Sequence, residues 1–215
     1  MGAQTSTRVS GAAGRRRLLD AALSLASKSR SLSALSLREV AKKASLNPNT
    51  FYRHFKNFDA LGLALIDELA SGLRESISRS RRQAATGRSG LERTEAVAAA
   101  SVSHFFDLIE KTPGVFLFGV RELHGSSRVL RRAIRAVIDG AALDMAQDIA
   151  LLDLLPGVSA EGIETAAALV AERLFFFSLE YLDPDADRRA VRARALTFVR
   201  ITFAGAALIF IQSPT

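Results

Sequence analysis

The stretch SLREVAKKASLNPNTFYRHF, residues 36–55, carries two short helix signals separated by a tight turn. Ser36 and Glu39 form a capping-box pattern, in which the Ser36 hydroxyl accepts the Glu39 amide hydrogen and the Glu39 carboxylate binds the Ser36 amide. Asn47 and Pro48 mark the second helix start, because Asn is a favoured N-cap and Pro has no amide hydrogen that would need a partner there. The spacing predicts a helix-turn-helix over these residues.

The rest of the chain predicts more helices and almost no strands. Ala, Leu, Arg and Glu dominate, and apolar residues recur at helical spacing instead of alternating. A loop containing Gly, Ser and Thr is predicted over 83–90. The fold class is therefore all-α with about nine helices, predicted at 14–30, 37–44, 47–55, 59–82, 91–111, 115–124, 127–153, 160–182 and 186–211.

The positive charge is concentrated at the front of the chain. Residues 1–60 hold eleven Lys and Arg and three acids, a net charge of +8, whereas residues 61–215 have a net charge of −1. The excess of positive charge, which is +7 over the whole chain, therefore lies in the part that contains the predicted helix-turn-helix. A basic helix-turn-helix favours duplex DNA as the polyanionic partner, because neutralising phosphates releases condensed counterions.

Composition argues against several classes of protein. The absence of cysteine excludes a disulfide framework, a thiol nucleophile and a Cys-based metal site. No nucleophile elbow, P-loop or dinucleotide fingerprint occurs, and His54, His104 and His124 lack metal-ligand spacing. The run Asp183-x-Asp185-x-Asp187 lacks the Gly and Glu of a calcium loop and predicts a turn, with one Asp capping the last helix. We predict no catalytic residue, no metal ligand, no cofactor and no enzymatic activity.

The ends of the chain predict no membrane contact. The N-terminus has no apolar core of the signal-peptide type, and we predict a flexible arm over 1–13. The pattern Met-Gly-x-x-x-Ser at Gly2 is also found at myristoylation sites, but it is short. The uncharged run 201–211 is shorter than the roughly 20 residues of a membrane span and predicts a buried helix. We expect a cytoplasmic protein.

The second helix of the predicted pair, 47–55, offers the base-reading side chains. Phe51 and Phe55 lie four residues apart and form an apolar face that can dock on the rest of the domain. Asn and Arg read adenine and guanine bidentately, while Tyr, Thr and Lys commonly hold phosphates. The predicted DNA-binding residues are Arg38, Asn47, Asn49, Thr50, Tyr52, Arg53, His54 and Lys56.

The segment 36–61 resembles the DNA-binding segment of TetR-family transcriptional regulators, and the likeness extends over 15–70. The resemblance implies an all-helical homodimer, in which an N-terminal domain binds a palindromic operator and a C-terminal domain binds a small hydrophobic effector. It places Thr50, Tyr52 and His54 on DNA and Lys56 on phosphate. The implied domains are 14–60 for DNA binding and 61–215 for ligand binding and dimerisation, and the protein would be associated with the nucleoid through its operator.

Two positions depart from the common family pattern. Ser45 stands where Gly is common, and it would be strained if the turn requires a positive φ. Phe58 stands where many members have Lys, which removes one expected phosphate contact. The segment that follows Phe58, together with FLFGVRELHGSSRVLRRAI at 116–134, is similar to the FabR/DesT branch of the family. That branch represses unsaturated fatty-acid genes and senses acyl-CoA thioesters.

The C-terminal part suggests an interface between two chains. The three successive aromatic residues Phe175–Phe177 cover most of a helix circumference, because helical neighbours point about 100° apart. The run 201–211 is also apolar all round and includes the small residues 204–207. Two such helices from each of two chains would form a four-helix dimer interface; the alternative is an ordinary monomer core.

Aromatic residues around the break at Pro113 suggest an apolar pocket, with plain core packing as the alternative. The arginines at 121, 128, 131 and 132 could meet the polar end of an acyl-CoA or form a solvated basic face. The predicted ligand-binding residues are Phe105, Phe106, Phe116, Phe118, Arg121, Phe175, Phe176 and Phe177.

The predicted function is a ligand-responsive transcriptional repressor of fatty-acid metabolism genes, with a long-chain acyl-CoA as effector. One alternative is a TetR-type repressor of an efflux or catabolic operon that senses another hydrophobic molecule. Another is a non-specific architectural DNA-binding protein. An enzyme fused to a DNA-binding domain would need a catalytic constellation that the sequence does not contain.

Overall fold

The computed structural model describes residues 3–28 and 31–211. Over these residues the chain forms nine α-helices and no strand, which confirms the all-α prediction. A short 3-10 turn at Leu32–Ala34 was not predicted. The helices are α1 (Ala3–Ala26), α2 (Leu37–Lys43), α3 (Pro48–Phe51), α4 (Phe58–Ala85), α5 (Gly90–Lys111), α6 (Pro113–Leu123), α7 (Arg128–Leu151), α8 (Ala160–Leu182) and α9 (Arg188–Ile209).

The first helix differs most from its predicted bounds. It begins at Ala3 instead of residue 14, so the predicted arm is helical from that residue onwards. Its residues before 14 include Ala and no Pro, so nothing in them stops the helix from extending. Gly2 of the lipidation pattern and residues 29–30 of the predicted helix lie outside the described residues.

The third helix is shorter than predicted. It covers Pro48–Phe51, and the chain continues through a turn at 52–54. The Phe55 amide still donates to the Phe51 carbonyl at 2.9 Å, so the predicted segment keeps a helical path to its end. In α6, by contrast, Pro113 is the first helical residue and not a stop, which suits a residue without an amide hydrogen.

The chain divides into two compact units. The first comprises the described residues up to Leu69 together with Leu117–Ile134, and the second comprises Ala70–Phe116 and the residues from Arg135 onwards. The helices α4, α6 and α7 each supply residues to both units. The functional boundary expected between residues 60 and 61 stays a prediction.

In the first unit, α2 packs against both α1 and α3. The apolar side of α1, which includes Leu18, Leu19 and Ala22, is fully buried there. The Leu32 amide donates to the Glu122 carboxylate at 2.5 Å, and Arg121 donates to the Ala26 carbonyl at 2.6 Å. The end of α6 is therefore tied to the segment that follows α1.

In the second unit, α8 and α9 pack side by side and α5 lies against both. A buried aromatic and aliphatic cluster that includes Phe106, Leu174 and Phe177 fills the space between them. At one end of this cluster the buried Tyr181 hydroxyl donates to Glu110 and accepts from Arg192 at 3.0 Å. These polar contacts join α5, α8 and α9 where their apolar packing ends.

Candidate DNA-binding surface and effector cavity

The two helix starts of the helix-turn-helix are formed as predicted. The Ser36 hydroxyl accepts the Glu39 amide hydrogen at 3.2 Å, and the Ser36 amide donates to the Glu39 carboxylate at 2.7 Å. The Asn47 side-chain oxygen accepts the amide hydrogen of Asn49 at 2.9 Å, with Pro48 in the first turn. These contacts satisfy amides that have no partner within their own helices.

The turn between α2 and α3 has a left-handed residue. Ser45 has a φ of 53°, which a residue with a Cβ adopts at a cost of order 1 kcal/mol. The Arg17 side chain donates to the Ser45 carbonyl at 3.0 Å and so ties the turn to α1. The departure from Gly noted in the sequence is therefore a strained position, held by the surrounding domain.

Two buried phenylalanines anchor the segment 47–55, which carries the predicted base-reading side chains. Phe51 and Phe55 are both buried, with ring centroids 5.8 Å apart, as their spacing predicts. Phe58 packs against Phe51 with centroids 5.5 Å apart, and the Arg15 guanidinium lies 5.5 Å from the Phe55 centroid. Phe58 thus contributes to packing, where a Lys would contribute charge.

The polar residues of the predicted DNA-binding set lie on the opposite side of this segment from the core. Tyr52 is 67% exposed although it is aromatic, and Thr50 and His54 are half-buried. Arg38, Arg53 and Lys56 form no ion pair within the described part of the chain. The exposed members of the set are Arg38, Asn47, Asn49, Tyr52, Arg53 and Lys56.

Two members of the set also have structural contacts. A Cβ at Gly14 would lie 3.0 Å from His54 Nε2, so the imidazole packs closely against the α1 backbone. The Asn47 side-chain oxygen is occupied by the cap of α3. The DNA contacts of both residues stay predictions, and their first identifiable roles are in shaping the segment that carries Arg53.

The second unit contains an apolar cavity of about 390 Å³. Its walls come from α5, α7, α8 and α9, with one residue from α4. The volume falls at the lower end of the roughly 300–1,000 Å³ found for ligand sites. Its apolar lining includes Val97, Val102, Met145, Ile149, Leu174 and Phe203.

Charged residues interrupt the apolar lining at two places. Arg81 is only 4% exposed, and its Nε and Nη2 atoms each lie 2.8 Å from Asp148 Oδ2. At another part of the lining, Arg200 pairs with Glu95, and both side chains are about half exposed. The cavity therefore has one buried cation and one solvated ion pair.

An apolar surface runs along α8 and α9. Leu169 and Leu179 are exposed on α8, and Ile201 and Leu208 are exposed on α9 at 66% and 82%. A Cβ at Gly205, between the last two, would meet nothing within 4 Å. Large exposed apolar residues on two adjacent helices are typical of a surface that another chain covers.

The comparison with protein families decides the identity of the first unit. Residues 18–65 match the family described as "Bacterial regulatory proteins, tetR family". Residues 18–65 therefore carry a DNA-binding domain of the TetR family of transcriptional regulators. The match confirms the resemblance that residues 36–61 predicted for this part of the regulator.

Solved structures share the fold of the regulator along most of its length. A transcriptional regulator from Rhodococcus sp. Rha1 is 19% identical with a TM-score of 0.70, covering 89% of this chain and 96% of its own. FadR from Bacillus subtilis, solved with stearoyl-CoA, is 16% identical with a TM-score of 0.68, covering 88% and 98%. The fatty acid degradation regulator FadR from Bacillus halodurans is 17% identical with a TM-score of 0.70, covering 89% and 95%. At these identities the likeness shows the fold.

The predicted ligand-binding residues of the regulator lie outside the apolar cavity. Phe106, Phe116 and Phe177 belong to the core of the second unit, while Phe118 is buried in the first. The Arg121 guanidinium donates a hydrogen bond to the Ala26 carbonyl. The half-buried members of the set are Phe105, Phe175 and Phe176. None of the eight lines the cavity, and their ligand role stays a prediction.

Sequence reasoning missed Arg81, the buried cation of the cavity wall. The apolar residues of α4 recur every four positions through Leu65, Leu69, Leu73 and Ile77, and Arg81 is the next in that series. A charged residue at the end of an apolar helical stripe is the signal that would have identified it. The neighbouring Arg79 and Arg82 carry the same charge, so composition alone does not distinguish Arg81 from them.

The described residues contain no group of three or more His, Asp or Glu side chains placed to hold a metal ion. Asp183 instead accepts the Asp185 amide hydrogen at 2.9 Å, and Asp187 caps α9 through the Ala190 amide at 3.0 Å. The predicted turn and cap are confirmed. Among the described residues, none of the helices is long and apolar enough to cross a membrane.

Proposed function

We propose that the regulator is a dimeric repressor that binds a palindromic operator and releases it when a fatty-acyl ligand occupies the cavity of its second unit. The observation that carries the proposal is that one unit has an exposed, basic helix-turn-helix surface and the other has an apolar cavity. A cytoplasmic location, associated with the nucleoid through the operator, follows from this function.

Operator recognition is assigned to the exposed residues that flank the buried Phe51 and Phe55. Arg53 and Asn49 are suited to base edges because their side chains form bidentate hydrogen bonds. Arg38 and Lys56 are suited to phosphates, which orient the domain without reading sequence. Two copies of the domain would read half-sites about one helical turn apart, which explains why the operator would be a palindrome.

Dimerisation is assigned to the exposed apolar surface of α8 and α9. Leu169, Leu179, Ile201 and Leu208 would become buried in a four-helix arrangement, two helices from each chain. A twofold axis brings the same surface of both copies together, so one apolar strip is sufficient for both sides.

The lipid proposal is supported by the apolar lining of the cavity and by the sequence likeness of 116–134 to repressors of unsaturated fatty-acid genes. A long-chain acyl-CoA is the first candidate effector, and distant FadR structures, one with stearoyl-CoA, have the same fold. The second candidate function is control of an efflux or catabolic operon by another hydrophobic molecule. The same apolar cavity favours it, because apolar walls do not by themselves select lipids.

DNA selection from a randomised duplex library tests operator binding. We expect a palindrome bound roughly 10³–10⁷-fold more tightly than unrelated duplex at physiological salt. Similar affinity for every duplex would instead make the protein an architectural DNA-binding protein.

Arg53→Ala should relax base preference at one position of each half-site, and Arg53→Lys serves as the charge-matched control. An equal loss of affinity for all DNA sequences, with a shallower salt dependence of binding, would instead identify Arg53 as a phosphate contact.

The effector assignment is tested by adding long-chain acyl-CoA to the regulator on its selected operator. We expect operator affinity to fall and the midpoint of thermal unfolding of the free protein to rise, because a ligand that binds the folded state stabilises it. If neither quantity changes at saturating acyl-CoA or at a saturating concentration of the corresponding free fatty acid, the lipid assignment is wrong. A screen of hydrophobic drugs would then test the second candidate function.

A further inference from the structure

We propose that the cavity of the second unit selects a free carboxylic acid with an apolar body, whose carboxylate is held by Arg81. The inference rests on the proposed function, because it specifies the chemical form of the acyl ligand. It goes further by assigning a residue, an orientation and a charge to the bound molecule. A neutral hydrophobic molecule of the same size would be bound less well.

Arg81 is the strongest polar feature of the cavity. Its side chain is 4% exposed, and a guanidinium group stays charged in proteins. Burying a cation is costly unless acceptors surround it. An arginine placed in an otherwise apolar wall therefore marks the position at which an anionic group of a ligand would be most stabilised.

The protein itself compensates this cation only in part. Asp148 Oδ2 accepts from Arg81 and from the Ser78 hydroxyl, both at 2.8 Å, while Asp148 Oδ1 accepts from Arg82 Nε at 3.2 Å. One carboxylate thus serves two guanidinium groups. The contacts of Arg81 Nε and Nη2 with Asp148 are both to that one oxygen, Oδ2. A ligand carboxylate would supply a second anionic acceptor and form a charge-assisted hydrogen bond, which is stronger than a neutral one.

The depth of Arg81 limits the size of the anionic group. The ion pair of Glu95 and Arg200 is about half exposed, whereas Arg81 and Asp148 are 4% and 2% exposed. A group that reaches Arg81 must therefore be small, and the remaining lining accommodates an alkyl chain. A cavity of about 390 Å³ is small for a chain together with a nucleotide-sized headgroup. The free acid, rather than its CoA thioester, is the form that reaches Arg81.

Isothermal titration calorimetry with dodecanoate, 1-dodecanol and dodecanoyl-CoA tests the inference. At pH 7.5, with each probe below its critical micelle concentration, we expect dodecanoate to bind at least about tenfold more tightly than 1-dodecanol, as one charged hydrogen bond would provide. The double variant Arg81→Met/Asp148→Leu removes the pair as a unit, which buried sites often tolerate. In this variant we expect dodecanoate to lose its advantage while 1-dodecanol binds as before.

Arg200→Gln is the matched control, because it removes a cation that lines the same cavity but is about half exposed. It should change dodecanoate affinity by less than about threefold, since an exposed ion pair is weak. Equal binding of dodecanoate and 1-dodecanol to the natural protein, or full dodecanoate affinity in the double variant, overturns the inference. If dodecanoyl-CoA alone binds and releases operator DNA, the inference fails and lipid sensing stands. If no probe binds, both fail.

Discussion

Glu122 is the most constrained charged group of the first unit. It is fully buried, one of its oxygens accepts the Leu32 amide hydrogen, and the other has no hydrogen-bond partner. Burial raises the pKa of this carboxyl, the Leu32 hydrogen bond opposes that effect, and nearby Asp59 adds to it. A buried carboxyl without a cation is more stable when it is protonated.

Glu122→Gln should therefore stabilise the protein increasingly as pH rises. A carboxyl whose pKa is higher in the folded protein than in the unfolded chain stabilises the fold at pH values below its unfolded pKa. This contribution is lost as the pH rises through its folded pKa. Glutamine keeps the Leu32 acceptor and has no charge to desolvate. The difference in thermal midpoint between the variant and the natural protein should grow from pH 4 to pH 8. The exposed Glu164→Gln should show no such growth; a constant difference for Glu122→Gln would contradict the assignment.

Individual residues also show where sequence reasoning succeeds and where it does not. The caps at Ser36, Asn47 and Asp187 follow from neighbours within three positions, so local pattern predicts them. Arg81 faces a cavity built from four other helices, and Glu122 meets an amide 90 positions away. Such environments depend on tertiary packing, which spacing along the chain does not encode.

At the scale of the elements, the presence and order of the helices were predictable, and the errors concern the residues at which helices begin and end. Helix α1 has no early stop signal, and α3 ends early because the chain continues as a turn at 52–54. The phenylalanine clusters lie in helices, as predicted, but their pattern in the sequence does not distinguish core residues from ligand-binding residues. Phe106 and Phe177 pack in the core, while smaller aliphatic residues line most of the cavity.

The turn between α2 and α3 offers a test at this scale. Ser45→Gly should stabilise the protein by about 0.5–1 kcal/mol, because the relief of left-handed strain exceeds the added entropy of the unfolded chain. Urea unfolding measures the change. Ser45→Ala keeps the Cβ and should give no stabilisation. Equal effects of the two substitutions would show that the positive φ of Ser45 carries no strain.

At the scale of the whole molecule, the proposed dimer depends on the apolar strip of α8 and α9. Leu208→Glu places a charge on a residue that is 82% exposed in one chain and would be buried between two. Because burying an unpaired carboxylate is costly, we expect the dimer dissociation constant to rise by at least about 100-fold. Sedimentation velocity over a range of concentrations measures this constant.

Leu151→Glu is the control for the dimer, because Leu151 is 69% exposed but lies on α7. It should leave the dissociation constant unchanged, so a similar loss in both variants would argue against the α8–α9 interface. The Leu208 variant should also lose operator affinity, because one chain engages only one half-site. Retained dimerisation in this variant would contradict the proposed interface directly.

The division of the chain into two units also bears on how such regulators diversify. The residues that line the cavity all belong to one unit, and the predicted base-reading residues all belong to the other. A lineage can therefore acquire a response to a new compound by substitutions around Arg81 while its genomic targets stay the same. In the laboratory, the same separation allows the cavity residues to be randomised in a library of variants. Biosensors selected from that library would still bind the same reporter promoter.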